Sequence, residues 1–109
     1  MPLIERFDAS PSGARVSLRS IGQRGRGLAV QLNRERGTFR IHFEREGRPP
    51  LVIHANVLDA RFLDRSAGGL EDSSLDLSLQ FDDPGTAHGA MFELLKAAEP
   101  VEVTFELLP

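Results

Sequence analysis

Seven arginines crowd into the stretch from residue 15 to residue 40, at Arg15, Arg19, Arg24, Arg26, Arg34, Arg36 and Arg40. A guanidinium presents a planar fork of donors that fits carboxylate or phosphate oxygens two at a time. Gly25 and Gly27, set between them, let backbone approach such an anion closely. The chemistry on offer is recognition of negative charge. The whole chain is polarised in the same sense: residues 1–50 hold ten arginines against five acids, and residues 51–109 hold three basic groups against eleven acids. If the two halves occupy separate territory when folded, the result is an arginine-rich face for an acidic protein partner or a phosphate-bearing ligand, or a surface that meets its complement in a second copy. Arg15, Arg19, Arg24, Arg26, Arg36 and Arg40 are the candidate contacts.

Histidine chemistry is the next candidate. A hairpin turning about Arg48 would make His42 and His54 direct cross-strand neighbours, close enough to share a metal ion or a proton. Catalytic zinc needs three protein ligands and an open position, and the sequence supplies no third ligand at a recognised spacing; His88 would serve only if it lay near that hairpin. No metal site is assigned. The absence of cysteine removes thiol nucleophiles, thiolate ligands and disulfides. No G-x-S-x-G elbow presents a serine beside a histidine, and Gly68-Gly69 lacks the strand, glycine loop and helix order of a dinucleotide site. Asp82 and Asp83 are explained by a helix start, which favours negative charge. The expected role is thus a non-catalytic binding or assembly module without a cofactor, an enzyme with a histidine-centred site being a further alternative.

Motif spacing offers a nucleotide alternative. Arg36-Gly37-Thr38-Phe39-Arg40 is an R-x-x-x-R segment, followed at suitable distance by Asp64-Arg65-Ser66-Ala67-Gly68-Gly69-Leu70, a D-x-S-x-x-G sequence. The pair resembles the signature of the PilZ family of cyclic di-GMP receptors. That resemblance implies a nucleotide site in which Arg36 and Arg40 grip phosphates and guanine while Asp64, Ser66 and Gly69 supply polar groups. In that family the arginines precede the first strand, whereas here two strand-like segments come before them.

All seven aromatic residues are phenylalanine, expected mostly at inward positions. With no stacking platform and a formal net charge of -3, nucleic acid is not an expected partner. The start, Met1 to Arg6, has no apolar run of the kind a signal peptide needs, and no stretch approaches a membrane span. The expectation is a cytoplasmic protein that avoids membranes and binds a protein partner, itself, or an anionic small ligand.

The elements that must position these residues are mostly strands. With 109 residues there is room for one domain, residues 1–13 being expected as a loose lead-in. Val16 and Leu18 alternate with Arg15, Ser17 and Arg19, and Leu28, Val30 and Leu32 with polar neighbours, so the Gly22–Gly27 stretch reads as the cationic loop of a hairpin. Phe39, Ile41 and Phe43 lead through Gly47-Arg48-Pro49-Pro50 into Leu51, Ile53, Ala55 and Val57, a second hairpin. After Val57 the apolar phase flips to Leu58, Ala60 and Phe62, the mark of a one-residue bulge. Leu75, Leu77, Leu79 and Phe81 form the cleanest alternation. The period then changes: Asp83 caps a helix over residues 84–98 with Met91, Leu94, Leu95 and Ala98 on one face, and Pro100 ends it before a last strand from Val101 to Leu107. From Leu51 to Ala98 the order of elements is similar to pleckstrin-homology-like barrels, in which a C-terminal helix plugs the barrel. The fold expected is α+β, mostly antiparallel β: a small sandwich or partly open barrel of six to seven strands, with one helix before the last strand.

Overall fold

The computed structural model describes residues 2–35, 37–64 and 73–109. They form an α+β fold, mostly antiparallel β, with the element order β1 (Leu3–Ala9), β2 (Gly13–Arg19), α1 (Arg24–Arg34), β3 (Thr38–Glu44), β4 (Leu51–Leu63), β5 (Ser74–Phe81), α2 (Pro84–Ala97) and β6 (Glu102–Leu107). The strands make one sheet in the order β1-β2-β5-β4-β3-β6, antiparallel throughout.

Period-two alternation sends one set of side chains from every strand to the same side. Ala14, Val16 and Leu18 lie beside Leu79, Leu77 and Leu75, and Phe39, Ile41 and Phe43 lie between Ala55, Ile53 and Leu51 on one flank and Leu107, Phe105 and Val103 on the other. Most of these are buried and form a single core with Met91 and Leu94 of α2 and Ala29 and Leu32 of α1. Burying one such aliphatic or aromatic side chain contributes about 1.5–3 kcal/mol, so this inner face carries the fold. Both helices pack on that side. Among the described residues, no helix lies over the opposite, outer face of the sheet.

The bulge after Val57 is present. Val57 pairs with Leu79 and Asp59 with Ser78, leaving Leu58 as the extra residue; the slip turns Ala60 inward and Asp59 and Arg61 outward. A second irregularity, between Ile4 and Arg6, lets both Ile4 and Phe7 point into the core although they are three residues apart. The lead-in expected over residues 1–13 is therefore an edge strand over Leu3–Ala9. Gly13, where β2 begins, runs so close to β5 that a Cβ there would overlap the Leu79 carbonyl oxygen.

The hairpin expected across Gly22–Gly27 does not form. Residues 24–34 are helical, with Gly25, Ala29 and Leu32 buried at i, i+4 and i+7, while Val30, which a strand would have turned inward, is 54% exposed. The strand pairing that a hairpin would have used is taken instead by β5, which lies alongside β2. The described residues thus form two helices rather than the one expected. The second matches the expected span: Pro84 opens it, Asp83 accepts a hydrogen bond from the Thr86 amide at 3.4 Å and another from the Thr86 hydroxyl at 2.7 Å, and Ala98 closes it in the left-handed region at φ 52°. Ala87, Met91 and Leu94 are its buried residues.

The sheet curls around this core. The Val101 amide, just before β6, donates to the Pro2 carbonyl, just before β1, at 2.8 Å, so the two edge strands meet at one corner without pairing into a closed barrel. The likeness to pleckstrin-homology-like barrels fails on this point: the sheet stays open, and α2 lies against β1, β4 and β5 with a further strand after it.

Candidate functional site

Strand order decides where the charges go. β1, β2 and β3 belong to the basic first half of the sequence and β4, β5 and β6 to the acidic second half, yet in the sheet they alternate by twos and ones, β1-β2 then β5-β4 then β3 then β6. Basic and acidic segments are thereby interleaved. Arg24 pairs with Glu102 at 2.8 Å, Arg26 with Asp64 at 3.5 Å, Arg40 with Glu106 at 2.7 Å, Arg45 with Glu93 at 3.1 Å and Arg48 with Glu99 at 3.0 Å. Each of these five links an arginine of the first half to a carboxylate of the second. The polarity seen along the chain is mostly spent inside the molecule.

The candidate arginines consequently do not share one surface. Arg15 and Arg19 point outward from β2, and Arg40 points outward from β3, three strands away and offset along the strand direction as well, since Arg15 is level with Asp59 and Arg19 with Leu63 while Arg40 is level with His54. Arg24 and Arg26 lie on α1, on the helix side of the sheet, where the Arg26 guanidinium also stacks 5.5 Å from the centre of the Phe62 ring. Arg36 lies outside the described residues. Arg19 approaches Glu5 at 3.9 Å. Among the described residues, Arg15 and Arg34 make no ion pair.

The histidines are arranged differently from expectation. β3 and β4 pair His42 with Val52 and His54 with Arg40, because the hairpin is centred on Gly47, in the left-handed region at φ 73°, rather than on Arg48. His42 and His54 are diagonal neighbours on the outer face, and the Arg40 Nε donates to the His54 Nε2 at 3.4 Å. His88 sits across the sheet, its Nε2 3.0 Å from the Gly13 carbonyl and its ring edge-on to Phe7 and Phe81. No three histidine, cysteine or carboxylate side chains gather in metal-binding geometry among the described residues. Of the nucleotide-site alternative, Arg36, Ser66 and Gly69 lie outside the described residues. Arg40 and Asp64 are described, and they sit at opposite ends of β4: Arg40 is level with His54, and the strand rises roughly 30 Å from there to Asp64.

What the outer face does bring together is a compact set of charges that the sequence alone did not assemble. A concavity of about 200 Å³ is lined by Arg6 and Asp8 of β1, Arg15 and Ser17 of β2, Asp76 and Ser78 of β5, and Asp59 and Arg61 of β4. The registers set them in two rows across four strands. Asp8, Arg15, Ser78 and Asp59 lie level with one another, and Arg6, Ser17, Asp76 and Arg61 form the next row. Three cations and three anions alternate in a chequered pattern. Within the chain Arg6 donates to Asp8 at 2.6 Å, Ser17 to Asp76 at 2.8 Å, and Arg61 lies 3.9 Å from Asp59.

Arg15, Ser17, Asp76 and Ser78 were recognisable as outward residues of their strands. Asp59 and Arg61 follow as outward residues once the bulge after Val57 is placed, whereas Arg6 and Asp8 were not recognisable, since they need β1. The usable signal was the repeated charge-x-charge spacing, Arg6-x-Asp8 and Asp59-x-Arg61. Chemically, an open sheet face of compensating charges suits recognition of a surface patterned the same way, because every ionic group stays wet and already has a neighbour of opposite sign. Among the described residues no helix is long and apolar enough to cross a membrane. The chain matches no protein-family model, no curated protein and no solved structure at a significant level.

Proposed function

We propose that this chain is a non-catalytic docking module that engages a partner protein through the outer face of its sheet. The observation that carries this reading is the chequered depression of six charges and two serines on the side of the sheet opposite both helices of the described residues. Arg15 is its anchor. It stands in the middle of the set with no ion pair of its own, so its fork is available to a partner's carboxylate without breaking an existing pair. The surrounding charges set register and reject mismatched surfaces, which is what arrays of mixed sign do best.

A capped triglutamate peptide probes the site without the partner in hand. Backbone amide shifts followed during titration are expected to map to β1, β2, β5 and β4 around the depression, to be lost in Arg15→Gln and to persist in Arg34→Gln. Inorganic phosphate in a parallel titration reports whether the anchor prefers that anion. Shifts that map to α1, or that fall equally in the two variants, overturn the reading.

A further inference from the structure

Resting on that reading of the outer face, the geometry points to a second copy of the same chain as its occupant, laid face to face about a two-fold axis that runs across the strands between the two charged rows. Such an axis keeps each strand over its own counterpart and exchanges the rows. Asp8 then faces the second copy's Arg6, Asp59 faces its Arg61, and Ser78 faces its Asp76; by symmetry every contact occurs twice. Arg6 and Asp8 with their two mates close a square of alternating charge, and Arg61 and Asp59 close another at the far side. Arg15 comes opposite the second copy's Ser17, one strand from that copy's Asp76 on one side and from its Arg6 on the other, so the selective contacts are those of β1 and β4. The other in-plane two-fold, parallel to the strands, would set Asp8 against Asp59 and Arg6 against Arg61, so the charge pattern selects one arrangement and rejects the other.

The contact is modest in size. Four strands at about 4.8 Å spacing span roughly 19 Å, which places the patch below the standard interface of about 800 Å² per partner. Its pairs are rim-like and hydrated. The dimer is therefore weak and salt-sensitive, formed at high local concentration.

Sedimentation equilibrium on the full chain tests this at about 1 mM protein and about 25 mM salt, where screening is weak. The wild type is expected to move from 12.0 kDa toward twice that mass, and to return to monomer at about 500 mM salt. Asp59→Arg and Arg61→Asp each place like charges against each other at both symmetry-related positions, and each is expected to lose about tenfold in dimer affinity. An equimolar mixture of the two variants restores both contacts: the introduced arginine of one meets the introduced aspartate of the other, and the unchanged Arg61 of the first meets the unchanged Asp59 of the second. That mixture should dimerise like the wild type, which also shows both variants to be folded. A wild type that stays monomeric, single variants that dimerise unchanged, or a mixture that does not recover each overturns the second-copy assignment. The docking reading is judged apart from it, because the triglutamate response of Arg15 does not require a dimer.

Discussion

Asn33 stands in for a strand beside Ala60: its Nδ2 donates to the Ala60 carbonyl at 2.6 Å while its Oδ1 accepts from the Ala60 amide at 3.0 Å. β4 needs this because it is thirteen residues long and β3 pairs only with residues 51–56. Beyond that point its second edge would be bare, and bare edges invite pairing with other chains. α1 covers it, and one side-chain amide supplies both hydrogen bonds. Asn33→Leu keeps the shape and removes both bonds, leaving two partly buried backbone groups unpaired, so it is expected to cost about 1–3 kcal/mol in urea unfolding. Asn33→Asp retains the acceptor but sets a carboxylate against the Ala60 carbonyl, and should be no better tolerated at neutral pH.

Two glycines of α1 should respond in opposite directions to the same change. A Cβ on Gly27 meets nothing within 4 Å, whereas one on Gly25 would lie 2.5 Å from Ile21 Cγ2 and 2.9 Å from the Phe62 ring. Gly27→Ala gains helix propensity and should stabilise by about 0.5–1 kcal/mol. Gly25→Ala gains the same propensity but must force Ile21 and Phe62 apart, for a net loss of about 1–2 kcal/mol. Thermal unfolding of the pair checks both signs.

Arg45 is the one buried guanidinium among the described residues, its side chain 5% exposed. It donates to Glu93 of α2 at 3.1 Å and to the Pro49 carbonyl at 3.2 Å, while its Nε is buried without a partner. Removing the half-exposed Glu93 strands a buried cation, so Glu93→Gln should destabilise by about 1–2 kcal/mol. Arg45→Met replaces the cation with an apolar chain of similar length and should stay within about 1 kcal/mol of wild type. Equilibrium denaturation that shows Arg45→Met to be the costlier change contradicts this account of the Arg45–Glu93 pair.

Asp83 gives α2 a pH dependence with a definite sign. The hydrogen bonds from the Thr86 hydroxyl and then the Thr86 amide hold its carboxyl below the ordinary carboxylate value. A depressed native value means that the unfolded chain binds the proton more readily. The contribution is complete above the unfolded-state value and disappears as pH falls through the lower, native one. The stability gap between wild type and Asp83→Ala should accordingly be constant near neutrality and close in acid, as melting temperatures measured across that range will show.

Local periodicity made much of this fold readable. The β3–β4 hairpin, β5, α2 and β6 each carry one clear period, and the bulge at Leu58 betrayed itself because a one-residue slip reverses which face is apolar. α1 was misleading for a physical reason: Leu28, Val30 and Leu32 fit period two as well as Gly25, Ala29 and Leu32 fit a helix, and two glycines read as a turn. The choice is made by partners distant in sequence, Phe62 against Gly25 and Ala60 against Asn33. β1 was hidden because its irregularity at Glu5 breaks the alternation. The site was the least legible part. Its eight residues come from four strands, and until β5 is known to lie between β2 and β4, nothing in the sequence puts Asp76 beside both Ser17 and Arg61.

The measurement closest to the central claim reads the Arg15 guanidinium itself. In side-chain Nε–Hε spectra of the wild type, capped triglutamate should shift the Arg15 resonance along a saturable curve and leave Arg34, the other described arginine without an ion pair, with no more than a small linear drift. Arg15 and Arg34 moving alike would mean that the outer face is simply charged surface, and the docking role would be wrong.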